Sequence, residues 1–457
     1  MTALIILSLL GILVLMMGLF HLKNKVLILI IPVLIAGIFL NANEYGLNAS
    51  YFSQMVHFDN FAISFSSLLI LTTTLIFGLC LQQYKTSKKP VEDIYALIIF
   101  SLVGAICMVS FNNLIMFILG LEIMSVPLYV LAGSNRENVL SNEASLKYFL
   151  MGAFASAIVI FGMTLIFGAT NSFQLDEIRN AVSGTKMPGV LQVGILLFIG
   201  GSLFKAAAVP FHFWAPDVYQ GSPTVITAFM ATVVKTAAFA GLFRFMMVAF
   251  QDISGLWVNI LVIITIATLF LANFSALSQT DFKRLMAYSG ISHAGYMLIA
   301  ILVLNMNAAD ALFFYSVSYS LATIVAFGIF LTMKNATGEY SLEIFKGLSR
   351  KNPFLAFGLV IAFLSLAGIP PLAGFFGKYF IFTSAIKGGF LTVVIIAIIN
   401  TMIGAYYYLK VLNMAFTKDV YHSAPVKNHL LLDAVIVFAA IGTLILGFFP
   451  GLLQGFI

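Results

Sequence analysis

Charge is what this chain has least of. Only 9% of its 457 residues are Asp, Glu, Lys or Arg, where a soluble domain carries about 25%. No polar stretch is long enough to fold as a domain of its own, so a soluble enzyme is excluded. Cysteine is nearly missing: Cys80 and Cys107 each lie inside an apolar run, with neither metal nor disulfide spacing, and read as small helix residues. There is no GxxxxGK[ST] loop, no GxGxxG opening a helix after a strand, no HExxH, no nucleophile elbow and no cysteine cluster for iron–sulfur binding. Nothing here binds a nucleotide or performs redox chemistry alone, so the energy for any transport must come from a partner or an ion gradient. The net charge of +6 is spread over short loops, which argues against a nucleic-acid partner.

What the chain has is hydrophobic length: 61% of it is apolar. The N-terminal MTALIILSLLGILVLMMGLF has no basic leader and no small-residue cleavage site, and reads as a retained first helix. A spanning helix needs about 20 mostly apolar residues. On that template the sequence predicts an all-α, polytopic membrane protein with fourteen spans: 3–20, 26–42, 60–82, 93–110, 112–132, 146–169, 190–212, 223–249, 254–274, 282–304, 309–333, 354–387, 389–413 and 430–452. The twelfth is too long for one straight helix and contains Gly368, Pro370, Pro371 and Gly374, so it is expected to be two half-helices.

Orientation follows from the positive-inside rule. With the N-terminus outside, the inner loops hold Lys23, Lys25, Lys85, Lys88, Lys89, Arg136, Lys283, Arg284, Lys334, Lys346, Arg350, Lys351, Lys418 and Lys427. The outer loops hold only Arg179, Lys186 and Lys387, so both termini are expected on the outer side.

Against this apolar background four charges stand out: Glu122, Lys205, Lys235 and Lys378. A charge at the centre of a membrane helix costs about 2.5–3.5 kcal/mol on insertion scales and marks ion or proton pathways. Two of the four adjoin broken helices. Pro210 follows Lys205 and frees the carbonyl of Ala206; Pro370 and Pro371 precede Lys378 and free those of Leu366 and Ala367. Such unmet groups are tolerated at membrane depth only where protein or water satisfies them. The two breaks lie five spans apart, an offset that reverses direction, as in an inverted repeat around a transport path.

Glu122 and Lys205 lie at similar depth on different helices and are expected to form an ion pair, either a proton switch or a static structural contact. Lys235 is too central to snorkel, and with Lys378 it calls for a hydrated polar channel. His293, among small and hydroxyl residues in YSGISHAGYML, suits a proton relay. His212, past Pro210, is either a relay or an interfacial histidine. Lys147 is either a relay or an anchor at the inner end of the sixth span. Tyr407, in the Tyr406–Tyr408 run, either faces the channel or belongs to an aromatic belt. His21, His57, His422 and His429 fall in loops and carry no assigned role.

Five stretches are then familiar: LEIMSVPLYVLAG, NEASLKYFLMGAFASAI, LFKAAAVPFHFWAPDVYQGSPT, DFKRLMAYSGISHAGYML and AGIPPLAGFFGK. In order over about 93–413, they resemble the antiporter-like subunits of the proton-translocating NADH:quinone oxidoreductase, respiratory complex I, and within them the subunit N family. The resemblance implies three N-terminal helices (1–92), two inverted five-helix repeats (93–250 and 251–416), each with a broken helix, and a C-terminal helix (417–457). It implies a proton path joining half-channels, with Glu122 as partner of Lys205, Lys235 as central relay, His293 as second-half relay and Lys378 as second-half titrating residue. Lys147, His212 and Tyr407 match less specific positions. The resemblance places the chain in a bacterial inner membrane, beside subunit M-like and K-like chains and with no cofactor of its own. NADH, FMN, iron–sulfur clusters and quinone fall to partner subunits. The rival expectation is a subunit of a multisubunit cation/proton antiporter; a non-pumping scaffold fits the buried charges poorly.

Overall fold

The computed structural model of the chain describes residues 1–20, 22–84, 90–182, 188–251, 255, 257–419 and 429–457, with the backbone alone for Lys23 and Asn24. The loop residues Lys85, Lys88, Lys89, Lys186 and Lys427, with His21 and His422, lie outside the described residues. The helices are α1 (Thr2–Met17), α2 (Leu27–Ala42), α3 (Asn60–Gln83), α4 (Glu92–Ser110), α5 (Leu114–Ala132), α6 (Val139–Thr170), α7 (Leu175–Val182), α8 (Gly189–Ala206), α9 (Trp214–Gly221), α10 (Thr224–Phe229) and α11 (Lys235–Phe250). They continue as α12 (Val258–Leu277), α13 (Phe282–Val303), α14 (Met306–Thr337), α15 (Leu348–Lys351), α16 (Pro353–Ala367), α17 (Ala373–Lys387), α18 (Leu391–Phe416) and α19 (Leu430–Phe448). One short hairpin interrupts the all-α pattern: β1 (Ala49–Tyr51) pairs antiparallel with β2 (Val56–Phe58), Ser50 opposite His57.

Among the described residues twelve helices are long and apolar enough to cross a membrane, α10 and α11 counting as one. The apolar α2 and the α16–α17 pair bring the crossings to about fourteen, as the hydrophobic runs predict. Helix starts are written in the sequence. Asp59, Asn113, Asn138, Asp281, Asn305 and Asn352 each accept a hydrogen bond from a first-turn N–H of α3, α5, α6, α13, α14 and α16. Asn138 starts α6 seven residues before the expected span, which moves Lys147 from the helix entrance to two turns inside it.

Both expected breaks are present. α8 ends at Ala207 (φ 56°), where the Ala208 N–H reaches back to the Leu203 carbonyl at 3.1 Å. α16 ends at Gly368 (φ 82°), where the Ile369 N–H reaches the Leu364 carbonyl at 2.9 Å. The two ends share one closure, a left-handed residue followed by a bond spanning five residues. Each break then carries a cis proline, at Val209–Pro210 and Pro370–Pro371. The seventh span therefore stops at Ala206 instead of running to residue 212.

Neighbours recur along the chain. α4 packs on α5 as α12 packs on α13; α6 packs on α8 and α9 as α14 packs on α16 and α17. The central stretches of α14 and of the α10–α11 span are wholly buried, while the apolar stretches of α1, α6, α12, α18 and α19 are each less than half buried. The polar side chains described next belong mainly to the inner layer, where neighbours rather than lipid decide their cost.

Candidate functional site

Lys205 lies in the last turn of α8 and is buried. Its Nζ donates to the Tyr129 hydroxyl at 3.0 Å. It also lies over the rings of Tyr129, at 5.0 Å, and Tyr148, at 5.2 Å, where the aromatic faces offer a further partner to a cation. Tyr129 follows Glu122 by seven residues on the same face of α5. The expected direct ion pair between Glu122 and Lys205 is not formed. Glu122 Oε1 is buried with no hydrogen-bond partner. Helix depth alone suggested the pairing; the tyrosine hydroxyl, which depth does not reveal, takes the contact.

Tyr129 also lines a cavity of about 1050 Å³ together with Asp93, Asn135, Arg136, Asn142 and Ser145. This cavity opens where α3, α5 and α14 end and α4, α6 and α10 begin.

Lys235 directly follows a π-turn, Met230–Val234, that joins α10 to α11. Such turns release a helical carbonyl pattern and recur at functional sites. Its Nζ donates to the Gly290 carbonyl and lies 5.9 Å from the Tyr319 ring centre. A β-carbon at Gly290 would stand 2.9 Å from that nitrogen, so only glycine leaves the ammonium its place.

His293 is three residues on from Gly290 along α13. Its Nδ1 lies 2.6 Å from the Tyr315 hydroxyl and its Nε2 3.2 Å from the Tyr408 hydroxyl. Tyr408 in turn is hydrogen-bonded to Ser289. Beside the histidine, Tyr315, Tyr319, Ser365, Leu366 and Gly374 enclose a cavity of about 10 Å³, room for one water. On its far side Lys378 Nζ donates to the carbonyls of Leu366 at 3.1 Å and Ala367 at 2.9 Å. These are the two carbonyls that Pro370 and Pro371 were expected to free. The Tyr296 ring lies 4.8 Å from the same nitrogen. A further cavity, of about 320 Å³, lies at the opposite face near the start of α14 and the end of α17, lined by Asn307, Asp310, Thr383, Ser384, Lys387 and Gln454.

Comparison with known proteins bears on this arrangement. Residues 111–404 match the family model described as NADH:quinone oxidoreductase/Mrp antiporter, TM. The chain is 41% identical to NADH-quinone oxidoreductase subunit N of Flavobacterium psychrophilum over 450 residues, 98% of each chain. The chain belongs to the NADH-quinone oxidoreductase subunit N family. Its fold matches a chain of respiratory complex I from Thermus thermophilus, solved with bound aureothin, with a TM-score of 0.86 at 33% identity over 98% of both chains. A chain of the Mrp complex from Dietzia sp. is similar in fold alone, with a TM-score of 0.87 at 18% identity over 99% of this chain and 95% of that one.

Within this subunit N chain the less specific candidates separate. Lys147 is half-exposed and bonds Glu143 and Asp217, each at 2.6 Å. Arg284 holds the other oxygen of Asp217 at 2.7 Å. Burial works against the Asp217 charge, but Lys147 and Arg284 keep its carboxyl below the usual aspartate range. Lys147 thus belongs to a partly exposed ion network. His212 is buried in the turn between α8 and α9, its Nδ1 without a hydrogen-bond partner. Tyr407 donates to Asn273 at 3.2 Å; the tyrosine beside His293 is its neighbour Tyr408, while Tyr406 is exposed.

Sequence reasoning also missed residues. Lys283, counted among the inner loops, is buried in the first turn of α13, where it donates to the Ser222 carbonyl at 2.7 Å and lies over the Tyr340 ring. Its signal was the cap at Asp281, which places Lys283 inside the helix. Arg244, buried on α11, bonds Asp59 at 3.0 Å and the Phe111 carbonyl at 2.7 Å. It ties α11 to the cap of α3 and the end of α4.

Proposed function

We propose that this chain is a membrane-arm subunit of a bacterial NADH:quinone oxidoreductase and translocates protons across the inner membrane. NADH oxidation and quinone reduction take place in partner subunits, which hold the FMN and iron–sulfur clusters, so the chain is part of an enzyme without doing redox chemistry itself. Subunit M-like and K-like chains are its membrane-arm neighbours. Both termini face outward, and the chain divides into 1–92, two inverted repeats at 93–250 and 251–416, and 417–457.

The observation that supports this reading is a set of buried stations, with cavities at opposite faces of the chain. From Tyr129 and Lys205, through Lys235 and His293, to Lys378, each station is a titratable side chain with a hydroxyl or carbonyl neighbour. Moving one charge through the full membrane potential involves about 2.3 kcal/mol per 100 mV, and stations divide that passage into steps. The Tyr129 hydroxyl and the carbonyls beside Lys235 and Lys378 give each lysine station a hydrogen-bond partner, and the hydroxyl is one to and from which a proton can pass.

The rival, a subunit of a cation/proton antiporter, shares the fold and the family model. It is disfavoured by the name and near-complete coverage of the subunit N relatives. The test is purification of the chain from native membranes with its partners. Flavin and iron–sulfur subunits in equal amounts, with NADH-driven acidification of vesicles that Lys205→Ala removes, are expected. A complex free of flavin that exchanges sodium for protons would refute the assignment.

A further inference from the structure

Lys205 needs a source of protons, and its direct neighbour is not the carboxylate. Glu122 makes no hydrogen bond to it, whereas the Tyr129 hydroxyl lies 3.0 Å away. The same tyrosine lines the cavity of about 1050 Å³. It is held there from several sides. The Ser145 hydroxyl donates to its backbone carbonyl at 2.7 Å. Tyr148 meets its ring edge-on at 4.9 Å, and Phe149 meets it at 5.8 Å. Gly152, on α6, faces the phenol oxygen so closely that a β-carbon would lie 2.2 Å from it. These contacts fix the ring and leave the hydroxyl aimed at the lysine.

We propose that the Tyr129 hydroxyl is the inlet station of this subunit, relaying protons between the cavity and Lys205, and that Gly152 is the positioning residue that gives it room. This rests on the proton-translocating reading above. In the step, a hydrated proton of the cavity is transferred to the phenol oxygen as the phenol O–H bond breaks and its proton forms an N–H bond on the neutral Lys205 amine. The tyrosine ends as it began, a neutral phenol, and one water is left in the cavity. Glu122 then acts on the lysine by its charge and carries no proton to it directly.

The experiment uses the intact complex in sealed vesicles and compares NADH oxidation and proton uptake in H2O and D2O. Tyr129→Phe keeps the ring and removes only the hydroxyl. Proton pumping is expected to fall about ten-fold, with a larger solvent isotope effect than wild type, because proton delivery then limits the cycle. A purely packing role would leave the isotope effect unchanged and would overturn the relay. Gly152→Ala is expected to act in the same direction. Gly168→Ala, on the same helix with nothing within 4 Å of the added carbon, is expected to leave pumping at the wild-type level. This glycine pair decides the question if Tyr129→Phe does not assemble: equal pumping in the two alanine variants would overturn the proposal. Wild-type pumping in Tyr129→Phe, with pumping lost in Lys205→Ala, would overturn the inlet role and leave proton translocation standing. Wild-type pumping in Lys205→Ala would overturn the translocation reading itself.

Discussion

The two broken helices close alike but use their lysines differently. Lys205 sits just before its break and turns away from it, toward a phenol on α5. Lys378 sits after its break and turns back into it, toward the Leu366 and Ala367 carbonyls that the prolines leave open. The first lysine is therefore dispensable to the backbone around it. The second completes the backbone around it, its ammonium closing the helix end. On the proposed reading, a proton lost at the second site would change the shape of the break, whereas one lost at the first would release only a hydroxyl.

The largest effect should come from breaking the second site. Lys378→Met is expected to abolish pumping. It also leaves two buried carbonyls without their donor, at a cost of about 1–3 kcal/mol each, so thermal unfolding of the purified complex should begin at a lower temperature. Lys205→Met is expected to lose pumping with little thermal shift. Equal shifts in the two variants would erase the distinction between them. If Lys235 and Lys378 share one path, Lys235→Met combined with Lys378→Met should pump little worse than the more severe single variant. Losses that multiply would indicate two separate channels.

Next in size is the charge that acts from afar. Glu122→Gln is expected to slow NADH-driven pumping several-fold by removing the buried carboxylate charge on the helix that carries Tyr129. Glu122→Asp, which retains the charge, should be milder because no hydrogen bond to Lys205 has to be preserved. Matched losses in Gln and Asp, read with a pH-sensitive dye, would mean that side-chain reach matters and charge does not.

A smaller contrast tests the tyrosine pair. Tyr408→Phe removes a hydroxyl shared by Ser289 and His293 and is expected to reduce the pumping rate about two- to five-fold, the range set by losing about 0.5–1 kcal/mol of hydrogen bonding. Tyr407→Phe removes a bond to Asn273 on a ring that packs against Tyr408 but makes no bond to His293, and should change the rate less. The reverse order in initial rates of vesicle acidification would return the relay role to Tyr407.

The smallest effect is expected at the surface. Lys147→Ala breaks half-exposed ion pairs worth about 0–1 kcal/mol, and pumping per NADH should stay within the scatter of wild type. A pumping loss comparable with that of Lys205→Met would place Lys147 on the proton path after all.

These contrasts also mark what sequence conveys. The spans were legible because each hydrophobic run had to cover a membrane by itself; their starts were less so, since α6 begins just after its Asn138 cap, seven residues before the run read as its span. The unmet carbonyls of Leu366 and Ala367 were legible too, since proline geometry names the carbonyl it frees within one helix; that Lys378 meets them was not. Nor was the partner of Lys205. Tyr129, Tyr315 and Tyr408 come to their stations from other helices, and which face each helix turns inward depends on crossing angles and side-chain volumes. Depth along a helix is a single coordinate, and it placed Glu122 beside Lys205 when a third side chain held the position. Lys283 was misjudged for a related reason: it is the second residue of the span expected at 282–304, and a charge in the first turn of a helix looks from sequence as if it faces the loop.

The π-turn ahead of Lys235 has a consequence of a different kind. A five-residue reach takes in one residue more than an α-turn does, so the helix carries an extra residue between Met230 and Val234. Removing any one residue there would restore regular winding, and because the wider turn absorbs the extra residue, the helix beyond it would keep its facing. The same loss within the regular winding of α11 would rotate everything beyond it by about 100°. An in-frame loss of one codon in this stretch is therefore expected to cost less than the same loss a turn further along the helix.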